Sequence, residues 1–379
     1  MHRIPTRCLH AGTIKDDREK GINSPVYTST AFGFIDQEGP IYPRYLNTPN
    51  LKAVSEKIAA LEEAESALVF SSGMAAISAL LFAFLKQGDH AVFQKGLYGG
   101  TSHFLEREFG RFGISFSVAG SQSAADIKSL IRENTRLIYI ETPSNPLLNI
   151  TDIQAVAELA RSAGIISVAD NTFATPINQQ PCLLGIDVVV HSATKYLGGH
   201  SDIQAGALAT GKKLIGPIYE TALNFGGSLN AFTLYLLERS MKTLHLRVER
   251  SNDNAMQIAR FLGSHPRIRK VYYPGLPDHP GHDTAARQMN GFGGMLSFEV
   301  EGLDGLSFQR KLGLIKPAVS LGGVETTCSS PAHTSHRHLG AEGRMKEGIP
   351  EDLIRLSVGI EDVEDLKADL DHALSDFRI

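Results

Sequence analysis

Residues 151–202 read TDIQAVAELARSAGIISVADNTFATPINQQPCLLGIDVVVHSATKYLGGHSD, and the order of elements in them decides the fold. Ile153, Val156 and Leu159 or Ala160 share one helical face, Thr151 and Gln154 have capping-box spacing, and Gly164 suits the C′ position. Two short β-branched runs follow, IISVAD (165–170) and IDVVVHS (186–192), each apolar enough for a strand buried on both faces. The spacing therefore predicts helix, strand, crossover, strand. Such units build a parallel sheet with helices on both faces.

The same texture extends towards the N-terminus. ALVF (67–70), HAVFQ (90–94), ISFSVAG (114–120) and RLIYIET (136–142) are further strand-like runs separated by helical or loop segments. LKAVSEKIAALEEAES, from residue 51, carries Leu51, Val54, Ile58 and Leu61 at helical intervals. Residues 1–46, rich in Pro, Gly, Thr and Tyr, show no helical period and are expected to form an extended arm that lies on its own domain or on a partner. Beyond about residue 229 the alternation weakens. One long helical stretch, LNAFTLYLLERSMKTLHLRVERSNDNAMQIARFLG, leads to strand-like GMLSFEV (294–300) and LIRLSVGI (353–360) and a closing helix. The expected fold class is α/β, with an arm over 1–46, a main domain over 47–240 and a smaller α+β domain over 241–379.

Composition narrows the function class. A chain of 379 residues with 42% hydrophobic and 21% charged residues can bury a large core. A net charge of -4 with no block of like charge gives no footprint for nucleic acid or a membrane surface. The longest apolar run, AAISALLFAFL (75–85), is a core helix rather than a span. Three scattered cysteines, Cys8, Cys182 and Cys328, fit a reducing cytoplasm, where the protein is expected to reside.

Chemistry concentrates at the predicted strand ends, where open α/β sheets bind ligands. Asp170 ends one strand, and a carboxylate there needs a cation or several donors. Lys195 follows the next strand with Ser192 and Thr194 beside it. Alone it reads as a surface lysine; on this rim it reads as a nucleophile of lowered pKa. SSGMAAI (71–77) takes a strand into a helix through glycine, a candidate anion site. Anion cradle, buried carboxylate and reactive amine together match pyridoxal phosphate, whose phosphate, ring nitrogen and aldehyde need those groups. Tyr98, in KGLYGGTSHF, could cover the ring. Arg355, within an apolar strand, suits an amino-acid carboxylate, with an internal salt bridge as the competing reading. Asn145, between prolines in ETPSNP, sits on a stiff loop. PAHTSHRH (331–338) spaces His333, His336 and His338 like metal ligands, but no acidic or cysteine ligand is nearby and no metal is assigned.

YPR, SSGMAAI, YGGT, ETPSNP, ADNT, HSATKYLGGHSD, YPGLPDHP, GFGGMLSFE, VSLGGVET and RLSVGIED occur in this order over nearly the whole chain. The sequence thereby resembles the Cys/Met-metabolism family of pyridoxal-phosphate enzymes, which includes cystathionine γ-synthases, cystathionine β- and γ-lyases, methionine γ-lyases and O-acetylhomoserine sulfhydrylases. The resemblance implies fold type I, a mainly parallel seven-stranded sheet, and a cytoplasmic homotetramer of tight dimers. It implies that Lys195 bonds the cofactor aldehyde, Asp170 partners the ring nitrogen and Tyr98 stacks on the ring. Gly73, Met74, Thr172, Ser192 and Thr194 would complete the cofactor site, with Tyr42 and Arg44 reaching a neighbour's phosphate. Asn145, Val319, Ser320 and Arg355 would meet the substrate.

The reaction is less sharply marked. Where γ-synthases and γ-lyases usually carry glutamate before the serine, and β-lyases tyrosine, this chain has Val319. That resembles methionine γ-lyases, as does the uncharged substrate it implies. Gly100 stands where those enzymes usually have cysteine, and their lysine–aspartate pair is absent around TALNFGG. The loop after Arg44, YLNTPN, also departs from the usual Asn-Pro-Thr. The expected activity is γ-elimination from a sulfur amino acid, with methionine-like substrates ahead of cystathionine. The alternative is γ-replacement on an acylated homoserine, with β-elimination behind both. Lysine and aspartate alone would also suit an aminotransferase, which lacks this motif order; a non-catalytic relative would be expected to lose the lysine.

Overall fold

The computed structural model describes residues 2–375, without the side chain of His338. Residue 1 and residues 376–379, the outer edges of the expected arm and C-terminal domain, lie outside the described residues.

The arm departs from expectation at its start. Ile4–His10 forms a short helix, α1, which Pro5 opens and which buries Cys8 against α2 (Pro49–Glu62). Its sequence is too short to show a period, and tertiary packing supplies the stability that propensity does not. From Gly21 to Ile41 the arm is largely exposed and has no regular structure, with Ile22, Phe34 and Ile35 facing outward.

Seven strands then form one sheet: β1 (Ser66–Phe70), β2 (His90–Phe93), β3 (Ser115–Val118), β4 (Thr135–Glu141), β5 (Ile166–Asp170), β6 (Val188–His191) and β7 (Gly206–Thr210). Their order is β1-β7-β6-β5-β4-β2-β3. All neighbours are parallel except β7, which runs antiparallel to both β1 and β6. This strand escapes sequence reading, because Gly-Ala-Leu-Ala-Thr lacks the branched bulk of its neighbours. Small residues suit its place: a Cβ on Gly206 would lie 2.0 Å from the Ser72 carbonyl oxygen.

Helices α3 (Gly73–Phe84), α4 (Gly99–Glu108), α5 (Ala124–Ser129) and α6 (Ile153–Ala163) link successive strands. Helix α6 starts one residue later than the capping box suggests. Asp152, not Thr151, accepts from the Ala155 amide, while Thr151 Oγ1 donates to Gln94 Oε1. Gly164 ends the helix at φ 66°, as a C-terminal glycine should.

The long helical stretch after residue 229 is two helices, Ala231–Met241 and Leu244–Gly263, interrupted at Lys242–Thr243. Beyond them β8 (Ile268–Tyr272), β9 (Met295–Val300), β10 (Lys316–Pro317), β11 (Thr327–Ser329) and β12 (Leu353–Ser357) form a second sheet, ordered β10-β11-β12-β9-β8. Among the described residues no helix is long and apolar enough to cross a membrane.

Candidate active site

The C-terminal ends of β4, β5 and β6 open onto a cavity of about 600 Å³, which residues 319–321, 333–335 and Arg355 also line. Lys195, Tyr98, Gly73, Met74, Asp170, Thr172, Ser192, Thr194, Asn145, Val319, Ser320 and Arg355 all line it. Tyr42 and Arg44 do not. Arg44 instead donates from Nη1 to Leu223 O at 3.0 Å, and its guanidinium lies 5.1 Å from the Tyr45 ring centre.

Lys195 sits in the turn after β6. Its Nζ donates to Ser320 Oγ at 2.8 Å, and burial, with help from the Arg355 charge, lowers its pKa to about 8. Ser320 takes a left-handed conformation at φ 76°, unusual for a residue with a Cβ. Two bonds hold it there: the one from Lys195, and Arg355 Nη2 donating to its carbonyl at 3.0 Å. Arg355 Nη1 donates to Asn145 Oδ1 at 2.8 Å. Among the described residues the arginine therefore has no carboxylate partner in its hydrogen bonds, and burial lowers its pKa to about 10. A buried guanidinium held by two carbonyl-type acceptors and facing a cavity is a receptor for an anion.

Asp170 accepts from the Thr172 amide at 3.0 Å and from the Tyr139 hydroxyl at 3.3 Å. Its local turn is the Asx geometry common at strand ends. Next to it in register on β4 stands Glu141, which sequence analysis did not single out. Glu141 accepts from the Tyr98 amide through both oxygens, at 2.8 and 2.9 Å. Burial raises both carboxyl pKa values, and the Asp170 charge pushes Glu141 further up, whereas Thr172, His191 and Tyr139 draw Asp170 back. The pair's negative charge thus rests on Asp170. The signal for Glu141 was present: RLIYIE ends an apolar strand in an acid just as SVAD does.

A donor-rich side of the cavity is built at the start of α3. Ser72 Oγ caps the Ala75 amide, leaving the amides of Gly73 and Met74 without a helical partner. A Cβ on Gly73 would come within 3.1 Å of Ser192 Cβ, so glycine keeps this cradle open. Thr172 Oγ1 accepts from the Ser192 amide at 2.8 Å, tying β5's end to the turn that carries Lys195. Thr194 donates its hydroxyl to Ala205 O at 3.1 Å and accepts from the Ala205 amide at 3.0 Å. It is therefore less free than Ser192 to serve a ligand.

Tyr98 caps α4 with a half-exposed ring. A Cβ on Gly100 would lie 2.4 Å from Tyr98 Cε1, so the ring occupies space that any larger residue at 100 would claim. Under the rim, polar side chains link the strand ends. His191 Nε2 lies 2.6 Å from Glu62 Oε1, which also accepts from Asn171 Nδ2 at 2.9 Å; Gln179 Nε2 donates to Asn171 Oδ1 and Thr142 O, both at 3.0 Å. These bonds fix the residues adjoining Asp170, Ser192 and Glu141.

His333, Thr334 and Ser335 line the cavity mouth, a placement the histidine spacing did not suggest. The side chain of His338 lies outside the described residues. A planar aromatic bearing a phosphate and an aldehyde fits this arrangement. Asp170 offers an anion to a protonated ring nitrogen, the Gly73–Met74 turn offers donors, and Lys195 offers an amine close to its ionisation point.

Residues 5–375 match the family model described as Cys/Met metabolism PLP-dependent enzyme. An L-methionine gamma-lyase of Fusobacterium nucleatum subsp. polymorphum is 42% identical over 98% of each chain. A cystathionine gamma-synthase of Mycobacterium leprae is 40% identical, covering 98% of this chain and 97% of its own. The crystal structure of a cystathionine gamma-lyase from Lactobacillus plantarum, complexed with L-serine, superposes with a TM-score of 0.95 at 38% identity over 99% of both chains.

Proposed function

The chain belongs to the Cys/Met metabolism family of pyridoxal-phosphate-dependent enzymes, and from that premise we propose that it is a carbon–sulfur lyase. It removes the γ-substituent of a sulfur amino acid, with methionine-like substrates ahead of cystathionine. The observation that carries this reading is Val319, an apolar side chain on the cavity wall beside Ser320, 72% exposed. It offers contact to an uncharged thioether and nothing to a charged side chain.

The chain's own residues support each step. Arg355, held in plane by Asn145 and the Ser320 carbonyl, receives the substrate α-carboxylate through its remaining donors. Lys195, with a pKa near 8, exists in both protonation states near neutral pH, as a group that must take and return protons should. Ser320 Oγ holds the amine in place between transfers. Lys195 takes the α-proton and moves a second from Cβ. Tyr98, on the opposite wall, donates to the departing γ-substituent. Bound pyridoxal phosphate supplies the electron sink for charge developed at the substrate carbon.

The arm belongs to this proposal. Tyr42 and Arg44 lie outside their own chain's cavity, and the exposed segment before them carries apolar side chains with no cover. In the assembly we propose, a homotetramer of dimers, these two residues complete a neighbour's phosphate site.

One observation favours a second reading, γ-replacement on an acylated homoserine: the relatives divide between lyase and synthase names. Both reactions share every step through loss of the γ-substituent and differ in whether water or a thiol follows. A substrate panel separates them: L-methionine, L-homocysteine, L-cystathionine, and O-acetyl- or O-succinylhomoserine with and without a thiol. We expect 2-oxobutanoate from methionine or homocysteine alone. Pyruvate from cystathionine would move the answer to β-elimination. Product only when acylhomoserine and thiol are both present would overturn the lyase reading.

A further inference from the structure

Tyr98 is not fixed by its own side chain. Its ring is half exposed, and its hydroxyl makes no capping bond at the start of α4. Three of the five residues 96–100 are glycine, and Gly96 takes the left-handed φ of 77°. Such a segment has little preference of its own for one conformation. Two anchors hold it. Leu97 buries its side chain, and the Tyr98 amide donates to both oxygens of Glu141, at 2.9 and 2.8 Å. Glu141 ends β4, which pairs with β2 on one side and β5 on the other. Gln94 donates from its side chain to the Glu141 carbonyl, and Thr151 donates to Gln94 in turn. The Glu141 side chain is buried and lines the cavity, yet it takes no part in the proton transfers assigned to Lys195 and Tyr98.

We propose that Glu141 is the positioning residue for Tyr98: its carboxyl group clamps the Tyr98 amide to the end of β4 and so sets where the phenol stands in the cavity. The inference rests on the reading above, in which Tyr98 donates to the departing γ-substituent. The clamp needs an acceptor of the right reach, not a charge. The pair's negative charge rests on Asp170, next to Glu141 in register, so a second anion there is a cost rather than a requirement. An amide oxygen of the same reach therefore serves as well. A carboxylate one methylene shorter falls short of the Tyr98 N–H, although it keeps the acid beside Asp170.

Glu141→Gln and Glu141→Asp separate reach from charge. In cofactor-free protein, hydrogen exchange at the Tyr98 amide should stay near wild type in Glu141→Gln and quicken about tenfold or more in Glu141→Asp. On the cofactor-loaded enzyme, with whichever substrate of the panel turns over, Glu141→Gln should keep kcat within about threefold of wild type. Glu141→Asp should lose about tenfold to a hundredfold, the cost of a misplaced donor. In a Tyr98→Phe background Glu141→Asp should cost little more, because the hydroxyl it positions is gone. A kcat for Glu141→Gln as poor as that for Glu141→Asp, or poorer, would point to a charge acting through Asp170 and overturn the clamp. So would a loss in Glu141→Asp that persists in full on Tyr98→Phe, the mark of general damage, or Tyr98 exchange that neither variant changes. If Tyr98→Phe alone keeps the wild-type kcat, the donor role of the hydroxyl fails, while exchange at residue 98 still decides the clamp. The two failures are therefore distinguishable.

Discussion

The two walls of the cavity are built on different principles. The inner wall stands on the ends of β4, β5 and β6, with Glu141, Asp170 and the Ser192–Lys195 turn held by backbone ladders and by the Glu62–His191–Asn171–Gln179 bonds beneath them. The outer wall is made of the 319–321 and 333–335 segments, which lie in loops around the second sheet, with Arg355 alone on a strand. The first wall is rigid because the sheet register leaves its side chains little choice. The second has few such constraints, and its side chains can change without disturbing the core. Chemistry common to a family belongs on the first kind of wall, and choice of substrate on the second.

The largest effect should come from breaking the inner wall at Lys195. Lys195→Ala removes both the amine that bonds the cofactor and the base, and should cost about a thousandfold or more in kcat. Purified wild type incubated with pyridoxal phosphate should carry a visible absorbance band that the variant lacks. A colourless wild type would refute the assignment of the lysine. The pH dependence sharpens it. Burial has lowered this lysine, so its amine is mostly protonated below about 8 and free above it. Uptake of pyridoxal phosphate by cofactor-free protein should quicken as pH rises through about 8 and then level.

A smaller effect is expected at Arg44, which belongs to neither wall of its own chain. Losing one charge-assisted bond to a phosphate costs about 1.5–3 kcal/mol, so Arg44→Ala should weaken cofactor retention about tenfold to a hundredfold. A dimer formed from one Arg44→Ala chain and one Lys195→Ala chain contains one intact site if the arms are exchanged. Mixed and reassembled chains should then exceed the summed activity of the separate variants at limiting cofactor. No gain over that sum would mean that each chain completes its own site.

The same contrast explains what the sequence disclosed. Asp170 and Lys195 could be placed because each ends an apolar run of strand length, and a charge at such an end is conspicuous. Glu141 carries the same mark but hid inside a motif read for its asparagine. Strand β7 stayed hidden because its residues are small, a property dictated by the Ser72 carbonyl that crowds Gly206. Thr151 shows the limit of local rules. Its spacing fits a cap, yet a bond to Gln94, 57 residues away in sequence, claims its hydroxyl, and Asp152 caps instead. The histidines of 331–338 have metal-like spacing but no metal is assigned to them, and spacing along a chain says nothing about what lies across a cavity. The folded chain places His333 in the cavity lining, with Nδ1 3.0 Å from Ser330 Oγ.

The smallest change tests the outer wall directly. Val319 is 72% exposed, so Val319→Glu adds a charge without burying one, and the core should not register it. The new carboxylate would stand on the lining of the same cavity as the residues that meet the substrate. A thioether gains nothing from an anion there, whereas the far ammonium group of cystathionine gains a partner. The ratio of kcat/KM for methionine to that for cystathionine should therefore fall, by about threefold to tenfold given the solvent screening at this position. Cofactor absorbance and its dependence on Lys195 should remain as in wild type, because no residue of the inner wall is altered. A fall in cofactor binding together with activity would show that the two walls are not separable. An unchanged ratio with intact cofactor binding would remove Val319 from the choice of substrate.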